Sequence, residues 1–84
     1  MKTNVFIGGE RFSYDLYRIK NGSFLVKGEE LITTSHLDEE LCKVRVNQIT
    51  DEGVYVELVR DKPAGVFWKL TKRDFKEGVY LIEE

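Results

Sequence analysis

The sequence is poor in the residues that most often announce chemistry: of 84 residues, one is cysteine, one histidine, one proline and one tryptophan. A lone Cys42 has no partner for an intrachain disulfide, so a disulfide scaffold is excluded and a reducing compartment is expected. One cysteine and one histidine make no ligand quartet at zinc-like spacing, so no metal or other cofactor is expected. Long apolar runs are lacking too, and nothing is long enough to span a bilayer as a helix. The N-terminal MKTNVFIGGERFSYD holds only Val5 to Ile7 as an apolar run before Gly8-Gly9. That is too short for a signal peptide, and the expected location is cytoplasmic. Neither sign of charge dominates. Thirteen Lys and Arg face fifteen Asp and Glu, a net charge of −2, which excludes a global electrostatic pull toward nucleic acid.

Catalytic constellations are also missing. His36 needs a nucleophile or an orienting carboxylate in reach to act as a general base. Asp38, Glu39 and Glu40 are near in sequence but mark no known site, and a solvent-facing histidine is expected. Cys42 reads as a small buried hydrophobe. Glu29-Glu30 and Asp38-Glu39-Glu40 read as solvated acidic surface rather than as a catalytic carboxylate pair. Gly8-Gly9 lacks the longer glycine pattern of a phosphate loop and reads as a turn. No enzymatic activity is expected.

What remains is a β-rich chain of one domain's length, 42% hydrophobic and 33% charged, a balance that argues against global disorder. Its centre is Lys43 to Arg60: KVRVNQIT, then DEG, then VYVELVR. Two β-rich runs around three turn residues predict a hairpin, with Gly53 in the left-handed position of a three-residue loop. That loop sets Thr50 opposite Val54, Gln48 opposite Val56 and Val46 opposite Leu58. Val44, Val46, Val54, Val56 and Leu58 then form a core face. Arg45, Asn47, Ile49, Tyr55, Glu57 and Val59 form an outer face, with Ile49 paired to Tyr55 and Asn47 to Glu57.

Around the hairpin, Asn4 to Ile7 reads as a short strand and Arg11 to Lys20 as a longer one. In the latter, Phe12, Tyr14 and Leu16 lie on one side and Tyr17 and Ile19 on the other. That parity change implies a bulge or a strand covered on both faces. Asn21-Gly22 predicts a two-residue turn pairing Ile19 with Phe24 and Tyr17 with Val26. Leu31 to Thr34 is a further strand. Ser35 with Asp38 resembles a capping box, predicting a helical turn over residues 36–42 that places Leu37 and Leu41 on one face. Pro63 lies in a turn cluster, Asp61 to Gly65, outside the sheet. Val66 to Leu70 is a strand with Val66, Trp68 and Leu70 on one side and Phe67 and Lys69 on the other. Thr71 and Asp74 repeat the capping pattern, predicting a helical turn over Lys72 to Glu77, anchored by Phe75 and stopped at Gly78. Val79 to Ile82 is the last strand.

From residue 43 onward, the order strand, tight turn, strand, turn, strand, helical turn, strand resembles the latter part of an SH3-like barrel. The phrase VNQITDEGVYVEL is similar to the glycine-turn hairpin of OB domains. The resemblance implies a small barrel of five to seven strands, or a curled antiparallel sheet, with one or two helical turns; it carries over no functional residues.

Two binding surfaces emerge. The first is the outer face of the central hairpin: Ile49 and Tyr55 as an apolar centre, Arg45 and Glu57 as polar neighbours, the anatomy of a protein interface. It makes the chain a non-catalytic protein-binding module, an inhibitor or adaptor of a larger partner or a homodimer. The second is residues 60–76, where Arg60, Lys69, Lys72 and Arg73 are interleaved with Phe67. Cations among aromatics suit single-stranded RNA or DNA. No membrane partner is expected.

Overall fold

The computed structural model describes residues 2–7, 9–37, 40–59 and 65–83. They form seven antiparallel strands in one sheet, with one short helix. In chain order these are β1 (Lys2–Ile7), β2 (Glu10–Ile19), β3 (Glu30–Thr34), β4 (Leu41–Thr50), β5 (Gly53–Leu58), β6 (Phe67–Lys69), α1 (Lys72–Glu77) and β7 (Val79–Glu83). Across the sheet the order is β1-β2-β7-β3-β4-β5-β6. The expected mainly-β fold is present at the upper end of the expected strand number. The sheet is not closed: among the described residues, β1 and β6 each have one ladder neighbour. The closed SH3-like or OB-like barrel that the strand order implied is therefore not borne out.

Alternation along β4 and β5 builds the core. Val44, Val46, Val56 and Leu58 are at most 5% exposed and point inward with Leu31, Val79, Trp68 and Leu70. Burying each aliphatic side chain of this size contributes about 1.5–3 kcal/mol, so this inner face carries most of the stability. The helix supports it from one end. Thr71 caps α1, with Asp74 closing the predicted capping box, and Gly78 ends it. Phe75 packs against the core as expected.

The Asn21-Gly22 hairpin does not form. Ile19 pairs with Val79 and Tyr17 with Leu81, because β7 takes the flank of β2 that the predicted strand would have used. The Asn21 side chain instead accepts from the Ser23 N–H at 2.9 Å, an Asx turn. Residues 20–29 become a loop that drives Leu25 into the core and leaves Phe24 and Val26 outside. Gly22 lies against the β4–β5 hairpin so closely that a Cβ there would meet Val54 at 2.9 Å. The helix expected over residues 36–42 is also not formed. Leu41 and Cys42 belong to β4, paired with Thr34 and Thr33. Ser35 closes the β3–β4 connection instead: its N–H donates to the Glu40 carbonyl at 2.8 Å, and its hydroxyl accepts from the Leu37 N–H at 3.1 Å. Asp38, the other half of that capping pattern, and the turn cluster at Asp61 to Ala64 lie outside the described residues.

β2 shows no register shift in either ladder. The expected bulge is therefore absent, and the strand is not covered on both faces either: it is apolar on both, but Tyr17 is 57% exposed. Tyr17 and Ile19 share the inner side with Leu81 and Val79. Phe12, Tyr14 and Leu16 share the outer side with Val5 and Ile82. The β1–β2 hairpin turns back so that β1 comes within 8 Å of β4, Cα to Cα, without joining its ladder. Val5 and Ile32 are buried, and the Lys43 ammonium sits 5.8 Å from the Tyr14 ring centroid.

Val56 is fully buried. Val56→Asp sets an unpaired charge at the centre of the inner face, a cost of several kcal/mol against a stability of about 5–15. The variant should show no cooperative thermal melt; a transition near that of the parent would mean Val56 is not in the core.

Candidate functional site on the outer face

The β4–β5 ladder differs from the one its turn residues predicted. Asp51-Glu52 is a two-residue turn, with Thr50 opposite Gly53, Ile49 opposite Val54 and Gln48 opposite Tyr55. The register then shifts at a β-bulge between Val46 and Gln48, and Val46 meets Val56, Arg45 meets Glu57 and Val44 meets Leu58. Asn47 is the extra residue. Gly53, expected as the third residue of the loop, is instead the first residue of β5, opposite Thr50, and keeps a positive φ of 144° that favours glycine. The five core residues remain core, but the pairing near the turn changes face. Ile49 moves to the Val54 side, where it is half exposed, and Gln48 takes the place beside Tyr55. The expected Ile49–Tyr55 and Asn47–Glu57 pairs are therefore corrected. The sequence held the signal: apolar residues at 44, 46 and 49 step by two and then by three, which a strand accommodates with a bulge.

The outer face continues onto β6, where Tyr55 is opposite Lys69 and Glu57 opposite Phe67. Residues opposite in a ladder share a face. Two rows therefore run across three strands: Gln48, Tyr55, Lys69 and Arg45, Glu57, Phe67. Tyr55 and Phe67 are diagonal neighbours, within reach of one another for aromatic side chains. Phe67 is 52% exposed and Tyr55 half-buried. The Tyr55 hydroxyl donates to Glu52 at 3.4 Å. Arg45 lies 3.9 Å from Glu30, which also pairs with Lys43 at 3.4 Å. Arg45, Tyr55 and Glu57 of the expected protein surface thus meet Phe67 and Lys69 of the expected nucleic-acid surface on one platform. Ile49 is not part of it. Lys72 and Arg73 sit on α1, where Arg73 pairs with Glu77 at 3.0 Å. Arg60 lies outside the described residues.

A second polar constellation was invisible in the sequence. His36 Nε2 lies 2.8 Å from Asp74 Oδ1, and its ring stacks on Trp68 with centroids 5.2 Å apart. These partners are 38 and 32 residues away, so local spacing held no signal. Asp74 is 4% exposed. Burial pushes its carboxyl up, but hydrogen bonds from the Thr71 N–H, the His36 ring and the Thr71 hydroxyl, with the charge of His36, outweigh burial and hold it below its ordinary value. Thr34, Ser35, His36, Thr71, Arg73, Asp74 and Glu77 line a polar cavity of about 570 Å³. The Thr71 hydroxyl donates to the same Asp74 carboxylate at 3.0 Å. The evident work of the His36–Asp74 pair is to tie the β3–β4 connection to the start of α1. The indole N–H of Trp68 is buried without a hydrogen-bond partner among the described residues.

No protein-family model matches the chain, and no curated protein or solved structure matches it.

Two substitutions separate platform from support. Tyr55→Ala should cost about 1 kcal/mol, short of the roughly 3–5 of a fully buried aromatic; a thermal melt showing the larger loss would place Tyr55 in the core. Asp74→Ala should cost about 1–3 kcal/mol at neutral pH by undoing the cap and the His36 tie. A depressed carboxyl stabilises above its unfolded value and loses that contribution as pH falls through the folded one. The gap between parent and Asp74→Ala should therefore narrow below about pH 4, the unfolded aspartate range. A gap independent of pH would remove the carboxylate from this role.

Proposed function

We propose that the chain is a non-catalytic protein-binding module, an adaptor or inhibitor, and that the outer face of β4, β5 and β6 is its partner surface. The observation that carries this reading is the adjacency of Tyr55 and Phe67 within a polar surround of Arg45, Gln48, Glu57 and Lys69. Tyrosine and phenylalanine at the centre with charges around them is the composition of interface cores and rims. Tyr55 anchors the surface because it is half-buried and its hydroxyl is tied to Glu52, so less side-chain freedom remains to be lost on binding.

Single-stranded nucleic acid is the alternative, favoured by the same two rings beside Lys69. The charge distribution weighs against it. Glu57 sits in the middle of the platform and Glu52 at its tip, where a phosphate backbone would be repelled. Arg73 is turned to the cavity beside His36 rather than to the Phe67 row.

A photo-crosslinking residue replacing Tyr55 or Phe67, compared with the same residue replacing exposed Phe24, tests the assignment in extract of the source cells. Adducts to one protein, formed from positions 55 and 67 and missing from 24, are expected. Mixed single-stranded RNA and DNA at low salt should give a flat titration. Oligonucleotide binding that falls steeply with salt would transfer the platform to the alternative.

A further inference from the structure

We infer that β6 is an acceptor edge that takes an extended, acidic segment of the partner as the next strand of the sheet. The inference rests on the platform being a partner surface and names the form and charge of what binds there.

The phase of the β5–β6 ladder decides which backbone groups are free. The Leu58 N–H donates to the Val66 carbonyl at 2.9 Å and the Leu70 N–H to the Val54 carbonyl at 2.9 Å. Trp68, directly opposite Val56, lies midway between these bonds. Residues 66, 68 and 70 therefore turn their backbone groups toward β5, and alternation turns those of Phe67 and Lys69 the other way. Among the described residues, no strand lies on that side, so two N–H and two C=O groups stand ready for a further strand. The opposite edge of the sheet differs, because β1 is folded back onto β4.

Short edges bearing lysine are one means by which sheets avoid pairing. Phe67 does not fit that purpose: a large ring, half exposed at the edge itself, invites a neighbour rather than repelling one. In strand addition, main-chain bonds supply affinity and alternate side chains supply specificity. Alternate side chains of an added strand would lie beside Phe67 and Lys69. Lys72 follows just beyond the edge, and no ion pair engages Lys69 or Lys72 among the described residues. Glu57 is one strand further in, opposite Arg45. The charge that the edge presents to a newcomer is positive, and a segment with carboxylates at alternate positions complements it. A second copy of this chain fits less well, since antiparallel pairing of two β6 edges gathers Lys69 and Lys72 of both copies along one seam.

Three capped seven-residue peptides test this with the full chain: one alternating glutamate and valine, one alternating lysine and valine, and the acidic one with N-methyl groups on alternate amides. The acidic peptide should bind at least tenfold tighter than the other two, with the amide signals of Phe67 and Lys69 shifting and their hydrogen exchange slowing. Lys69→Glu should reverse the preference between acidic and basic peptides. Phe67→Pro removes an N–H that no described strand accepts, so it should abolish binding; if that variant fails to fold, the charge reversal at Lys69 decides alone. Equal binding of the three peptides overturns the inference. So does self-association in sedimentation that Lys69→Glu alters, which would give the edge to a second copy, or capture of an oligonucleotide in place of the acidic peptide. Loss of peptide binding with crosslinks from position 55 intact would reject the edge and leave the partner face standing; loss of the crosslinks as well would reject both.

Discussion

The pairing of β4 with β5 is the constraint on which the rest of the molecule depends. Val44 and Val46 face Leu58 and Val56 across the longest central ladder, and the rest of the inner core packs onto that set. Leu25 reaches it from the 20–29 loop, Trp68 from β6, Leu70 from just past it, Val79 from β7 and Phe75 from α1. The chain is short, and such domains bury only about 60–65% of their unfolded surface. One well-filled inner face then leaves little material for the outer one. The β1–β2 hairpin covers part of that outer side, around Val5 and Ile32. The remainder, over β5 and β6, is the platform.

Within that ladder, the bulge at Asn47 decides what the platform carries. An added residue reverses the parity of everything between it and the turn. It moves Ile49 to the side of Val54 and puts Gln48 next to Tyr55. The outer face thereby loses an aliphatic side chain and becomes a mixed surface of aromatic, amide and charged groups. Phe67 then supplies, from β6, the apolar neighbour that Ile49 does not.

Where information was local, the sequence could be read closely. The Thr71–Asp74 cap and its helix, the Trp68–Leu70 alternation and the valine face of the central hairpin all follow from patterns within a few residues. Asn21-Gly22 misled because a turn signal specifies a bend but not the strand that fills the adjacent edge, and β7 arrives there from the far end of the chain. Ser35 misled because a hydroxyl that caps a helix serves equally to close a hairpin connection. The tie between His36 and Asp74 joins elements 38 residues apart, and only tertiary packing brings them together. Half of the platform was legible as Arg45, Tyr55 and Glu57, and half as Phe67 and Lys69. That these are one surface depends on β6 pairing with β5, which no local pattern states.

The bulge is the claim on which the functional reading turns, and cross-strand contacts in solution test it directly. Val46 and Val56 face each other with their backbone bonds directed to outer neighbours, Val46 to Gly28 and Glu29 and Val56 to Trp68. Opposed residues of that kind bring their Cα atoms to about 4.5 Å. Proton NMR should therefore show a strong Hα–Hα cross-peak between Val46 and Val56, with another between Val44 and Leu58. A cross-peak from Val46 to Leu58 in its place would mean a ladder without the bulge, with Ile49 returned to the outer face beside Tyr55, and would contradict the account.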